Sequence, residues 1–182
     1  MPLTELRKII QNFKNTKDAT PIALSDTAAY CYAVQELTDA SESVIYVFIF
    51  FDENGESSLF EAMSDDKTSE TISKHLQCNK VSILTNDTAK VKKLPFSNCS
   101  ANLKISPIPN KLANVISSSN LDNEFFLAGT ENIIFIGRYN IQTKEKLLEA
   151  RSFLNMFDKG FHDTLLSFYQ KIISRAESGD FR

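Results

Sequence analysis

Three aspartates stand at the ends of apolar runs that read as strands: Asp26, Asp52 and Asp87. In open α/β sheets the ligand site lies beyond the carboxyl ends of the strands. Three carboxylates brought together there could hold Mg²⁺, with water completing the shell, and so promote phosphoryl chemistry. That arrangement would make the chain a phosphohydrolase or nuclease. The same residues also suit local duties. Asp26 and Asp87 precede helical stretches and fit N-caps, and Asp52 opens the turn Asp52-Glu53-Asn54-Gly55. The local duties are the leading reading. The metal reading requires all three carboxylates within about 6 Å of a common point.

Other reactive groups are sparse. His75 and His162 are the only histidines, and neither has a metal-ligand partner at helical spacing. Structural or surface roles are expected of both. Cys31, Cys78 and Cys99 are odd in number and lack CxxC spacing, which argues against a disulfide framework or a zinc site. Reduced thiols and a cytoplasmic location are expected. Cys31 suits a core position on its helix, and Cys99 has no base beside it in sequence. GxGxxG, Walker A and GxSxG motifs do not occur, so no cofactor is implied.

The elements that would position these groups are organised around the run from Val44 to Phe51, which is apolar without alternation and rich in β-branched and aromatic residues. A strand of this kind must be covered on both faces, so helices are expected above and below it. It is far too short to span a bilayer, which takes about 20 residues. Before it, Leu3, Leu6, Ile10 and Phe13 place one apolar stripe on a helix, and Ile22-Ala23-Leu24 reads as a short strand. Thr27 to Asp39 follows as a helix. After it come helical pieces over Ser57 to Met63 and Ser69 to Gln77, then a strand over Lys80 to Thr85. Leu103 to Ser106 is a strand that Pro107 and Pro109 end, which suits a sheet edge. Lys111 to Ser119 is Ser/Asn-rich and is expected to be an irregular loop. Phe125 to Ala128 and Ile133 to Ile136 flank Gly129-Thr130-Glu131-Asn132, which signals a hairpin.

Two helices are expected at the end, Thr143 to Asp158 and Phe161 to Arg175, separated by Lys159-Gly160. The second presents Phe161, Leu165, Phe168, Tyr169, Ile172 and Ile173, a wider apolar face than one sheet needs. The surplus is read as an interface for a protein partner or a second copy.

Composition supports an ordinary folded domain. The chain has 182 residues, 42% hydrophobic and 24% charged, with a net charge of -3. That balance gives no support for nucleic-acid binding, which needs a basic patch; Lys90-Val91-Lys92-Lys93 is the lone basic cluster and reads as a solvated face. The segment Met1 to Phe13 carries charges early and does not read as a secretory signal. Residues 1–20 are taken as an N-terminal helix and linker, and 21–182 as one α/β domain with a C-terminal helical pair.

The order of elements from Ile22 to about Ser174 resembles one half-unit of the phospholipase D-like superfamily. The likeness is best from Asp122 to Asn140, where Gly137-Arg138-Tyr139-Asn140 keeps a glycine and an asparagine at the spacing of the family's turn. The helix expected over Glu145 to Phe157 has the matching Ala and Phe pattern. Laying the family's His-x-Lys-x4-Asp motif on the hairpin puts Asp122 at the histidine, Glu124 at the lysine and Gly129 at the aspartate. The family's histidine attacks phosphorus and its lysine steadies the charged oxygens. The resemblance therefore implies a degenerate member that keeps the scaffold without the chemistry. Active one-motif members pair to complete a site, so it also implies a homodimer.

The expected fold is three-layer α/β: a mostly parallel mixed sheet with helices on both faces, a C-terminal antiparallel hairpin and helices. The leading functional expectation is a non-catalytic cytoplasmic subunit or adaptor, with no cofactor and no membrane. The Mg²⁺ enzyme using Asp26, Asp52 and Asp87 is one alternative. Another is a small-ligand sensor, which needs a pocket beneath the Lys111–Ser119 segment.

Overall fold

The computed structural model describes residues 2–98, 100–118, 123–137 and 152–178. In chain order the elements are α1 (Leu3–Thr16), β1 (Ile22–Ala23), α2 (Thr27–Asp39), β2 (Ile45–Ile49), α3 (Ser58–Ser64), α4 (Asp66–Cys78), β3 (Val81–Thr85), α5 (Thr88–Val91), β4 (Leu103–Pro107), α6 (Asn110–Ser118), β5 (Glu124–Ala128), β6 (Asn132–Ile136), β7 (Phe153–Asn155) and α7 (Lys159–Ser178). Among the described residues the strands form one mixed sheet in the order β1-β7-β6-β5-β2-β3-β4. Pairing is parallel across β2, β3 and β4 and antiparallel elsewhere.

Helices cover both faces, and β2 shows why. Ile45, Val47 and Ile49 belong to one apolar cluster, with Leu6 and Ile10 of α1, Val34 and Leu37 of α2 and Met63 of α3. Phe48 and Phe50 belong to the opposite cluster, with Tyr169 and Ile172 of α7, while residues of α6 pack at its margin. The side-chain period of two sends neighbours to opposite faces, so an all-apolar strand needs a layer on each. Strand β4 forms one sheet edge, and its proline falls at the last paired position, Thr85 with Pro107.

Two expected elements differ. Lys111 to Ser119 is not an irregular loop: residues up to Ser118 belong to α6. Leu112, Ala113 and Ile116 recur at helical spacing and pack against the second cluster, and the Pro109 carbonyl accepts from the Leu112 and Ala113 amides. Burial of that stripe outweighs the Ser/Asn composition. The helix expected over Thr143 to Asp158 is also overturned at its described end, because Phe153–Asn155 is strand β7. Phe153 stacks on Phe135 at 5.5 Å, whereas Leu154 enters the other cluster. That two-sided alternation is what a strand requires, and pairing with β6 and β1 fixes it. Residues 143–151 lie outside the described residues. The expected terminal pair is thus represented by one described helix. Lys159-Gly160 opens α7 rather than breaking it, with Asp158 Oδ1 accepting from the Phe161 amide at 3.0 Å.

Candidate functional site

The three strand-end aspartates each serve their own neighbourhood. Asp26 Oδ1 accepts from the Ala29 amide at 2.9 Å and caps α2; that bond is the largest of the causes holding its pKa below the usual carboxylate value. Asp52 Oδ1 accepts from the Asn54 and Glu56 amides at 3.0 and 2.8 Å, shaping the turn that contains Gly55 at φ +75°. Asp87 Oδ1 accepts from the Lys90 amide at 2.9 Å and caps α5. Strand β1 is separated from β2 by β7, β6 and β5, which sets them about 19 Å apart at the usual strand spacing. Asp26 therefore lies beyond reach of a cation shared with Asp52 and Asp87. Among the described residues, no three His, Cys, Asp or Glu side chains are grouped to hold a metal ion. The metal reading of Asp26, Asp52 and Asp87 is corrected accordingly: the chain uses these carboxylates to finish helices and a turn.

The hairpin carries a carboxylate at a more telling place. Glu124, at the start of β5, is buried. Ser57 Oγ donates to its Oε1, the Ser58 amide donates to its Oε2 at 3.0 Å, and the Phe50 amide and Leu59 amide approach at 3.4 Å. Ser57 is in turn the N-cap of α3 and accepts from the Phe60 amide. The Glu124 carboxyl group thus fills the amide-rich corner where β2 hands over to α3. Gly129 sits in the hairpin turn at φ +67°. Asp122 and Arg138 to Asn140 lie outside the described residues, as does Cys99.

The opposite face of β5 borders a cavity of about 390 Å³. Its floor is the sheet: Phe48 of β2, Phe125 of β5 and Phe135 of β6. These residues are cross-strand partners in one row, Phe48 opposite Phe125 and Phe125 opposite Phe135. Leu112, Val115 and Ile116 of α6 form one wall, and Leu165 and Phe168 of α7 the other. Asn123 is the polar side chain among the described lining residues. The rings hold one another in place. Phe48 stacks on Phe125 at 5.1 Å, and Phe168 stands edge-on to them at 5.8 and 6.4 Å. Sequence reading placed a pocket under this segment only as a requirement of the ligand-sensor alternative, and the Leu112/Ile116 spacing was the signal that could have drawn a helix there.

The α7 residues read as an interface divide between inside and outside. Tyr169 and Ile172 are buried in this chain's own second cluster, where Tyr169 Oη donates to Ser82 Oγ at 3.0 Å. Burial pushes the Tyr169 phenol well above its ordinary pKa. Phe161, Leu165 and Ile173 are half-buried against the same cluster, and Phe168 is 40% exposed. Both histidines are buried. His75 Nε2–H donates to the Ser43 carbonyl at 3.1 Å, and His162 lies in the wall of α7, 3.6 Å from Asp163. In the basic cluster, Lys90 Nζ donates to the Gly55 carbonyl at 2.8 Å and lies over the Phe51 ring, while Lys92 and Lys93 are exposed. Cys31 is half-buried and Cys78 exposed. No helix among the described residues is long and apolar enough to cross a membrane.

No family model matches the chain, and no curated protein matches its sequence. Solved structures superpose on much of the chain. TrmBL2, an archaeal chromatin protein whose structure shows a novel mode of DNA binding, superposes over 96% of this chain with TM-score 0.50 and 11% identity. NucT from Helicobacter pylori superposes over 85% of this chain and 94% of its own, with TM-score 0.46 and 11% identity. A phosphatidylserine synthase from Haemophilus influenzae Rd KW20 superposes over 91% of this chain and 40% of its own, with TM-score 0.42 and 13% identity. This chain spans 60% of the length of the TrmBL2 chain, and what the two share at that identity is a fold.

Proposed function

We propose that this chain is a non-catalytic binding protein on a degenerate phospholipase D-like scaffold, working by recognition through its α6/α7 side. A protein partner or a second copy is the occupant expected for the outer surface of α7, where Phe161, Leu165, Phe168 and Ile173 are not fully enclosed. The observation that carries the non-catalytic reading is Glu124. Laid on the family's motif, Glu124 stands at the lysine position, and its buried carboxyl group, held by Ser57 Oγ and backbone amides, supplies no positive charge to a phosphate there. Glu124 therefore cannot steady the charged oxygens of a phosphate whose phosphorus is under attack. Incubating the chain with bis(p-nitrophenyl) phosphate, single-stranded DNA and phosphatidylcholine, with and without Mg²⁺, is expected to give no hydrolysis above blank. Turnover abolished by changing a single residue would overturn the non-catalytic reading. Sedimentation velocity at micromolar concentration is expected to show a dimer, or a monomer that shifts on adding its partner. A monomer from which no partner is recovered would count against the interaction half alone.

A second reading, a small-ligand sensor, is favoured by the cavity between α6 and α7.

A further inference from the structure

We propose that this cavity is the site of a small, uncharged, largely apolar molecule with a single hydrogen-bonding group, such as a substituted aromatic or a short branched aliphatic alcohol or amide. The proposal rests on the sensor reading and gives it a ligand class.

The size is right for a molecule. A volume of about 390 Å³ falls at the lower end of the roughly 300–1,000 Å³ of ligand pockets. The chemistry is equally selective. Four phenylalanine rings, from Phe48, Phe125, Phe135 and Phe168, together with aliphatic side chains of α6 and α7, leave Asn123 as the polar contact among the described lining residues. No described lining residue is charged. An ionised ligand would leave water with nothing here to replace its hydration, so phosphates, carboxylates and ammonium compounds are disfavoured. A flat neutral ring would meet the Phe48/Phe125 stack and the Phe168 edge in the geometries aromatic rings prefer. The Asn123 amide both donates and accepts, so one hydroxyl, carbonyl or amide on the ligand suffices to orient it.

A protein is the weaker occupant for this recess. The exposed large hydrophobic residues among the described ones are Val115, 60% exposed, and Phe168, 40% exposed, and both stand at the cavity. That is little apolar surface against the roughly 800 Å² that a standard interface covers on each partner. A partner on α7 must therefore spread over polar surface beyond the recess. The apolar character is concentrated in a half-open recess sized for a compact molecule.

The test uses the full chain and the neutral fluorophore N-phenyl-1-naphthylamine. The chain has no tryptophan, so indole emission does not interfere. Saturable one-to-one enhancement is expected, displaced by neutral naphthol and not by naphthalene sulfonate at equal concentration. Val115→Asp puts a charge at the rim at an exposed position, so the fold is expected to hold, with circular dichroism and Tm unchanged. Affinity is expected to fall about tenfold, the loss of one apolar contact of this size. Phe168→Ala should also weaken binding, and sedimentation of both variants separates this from any change in assembly. Absence of saturable binding, equal displacement by the sulfonate, or unchanged affinity in well-folded Val115→Asp would each overturn the proposal. So would an affinity that falls as protein concentration rises, because a second copy would then be filling the recess. None of these results bears on the absence of phosphodiester hydrolysis.

Discussion

Glu124 ties three parts of the chain together at one carboxylate. It is buried at the start of β5, and Ser57 Oγ, the Ser58 amide and the β2-side Phe50 amide all point at it. Glu124→Ala would orphan several buried donors at once, and each typically costs about 1–3 kcal/mol. Urea denaturation is expected to show a loss of about 3 kcal/mol or more, with Glu124→Gln losing less because it keeps the volume and one acceptor. A loss below about 1 kcal/mol for the alanine variant would show that these donors find water instead. Such a residue is hard to read in a sequence. A glutamate opening the apolar run Phe125-Phe126-Leu127 looks like a solvated strand end, and only the fold brings Ser57, 67 positions away, against it. The local caps were far more legible. Asp26 and Asp87 act on amides three residues ahead, so sequence spacing alone contains the whole interaction. That legibility is also why the metal reading fails, since each carboxylate is committed nearby.

At the scale of elements, strands were readable wherever a bulky apolar run was clear, as in β2, β3 and the β5–β6 hairpin. Two elements were not. α6 hides its Leu112/Ile116 stripe among serines and asparagines, and β7 is three residues whose strand state comes from pairing on both sides. Tertiary pairing overrode a helical pattern there. The hairpin turn gives a direct test. Gly129 has φ +67°, and a Cβ there would meet Asn132 Nδ2 at an ordinary 3.6 Å. The cost of Gly129→Ala is therefore conformational rather than steric, about 1–2 kcal/mol. Thermal denaturation should show the corresponding fall in Tm without a change in the near-ultraviolet aromatic signal. An alanine variant as stable as the parent would mean that the turn relaxes to another type.

The molecule as a whole buries both of its histidines, and this sets a pH dependence. Burial pushes His75 and His162 below the ordinary value of 6.5, although the Ser43 carbonyl opposes the shift in one case and Asp163 in the other. A lowered folded-state pKa means that the unfolded chain binds the proton first. Stability is expected to be undiminished by these groups above about pH 6.5 and to decline as pH falls from there toward the folded pKa values. Chemical denaturation between pH 7.5 and 5 checks the direction. His75→Gln with His162→Gln should flatten that slope even if the starting stability is lower, and an unchanged slope would assign it to carboxylates. Surface ion pairs such as Lys74 with Glu70 are exposed and add little to this balance.

The order of strands in the sheet has a consequence for how the chain is made. Strand β1 pairs with β7, Ile22 opposite Leu154, so its partner emerges 132 residues later (154 − 22). At roughly 5–20 residues per second the ribosome takes about 7–26 s to deliver it. During that interval α1 and β1 wait at the margin of a growing sheet, and the greasy β2 has β3 for company long before β5 arrives. A nascent chain stalled before residue 124 is thus expected to present an uncovered β2 edge to holdase chaperones, and release from them should coincide with synthesis of the hairpin.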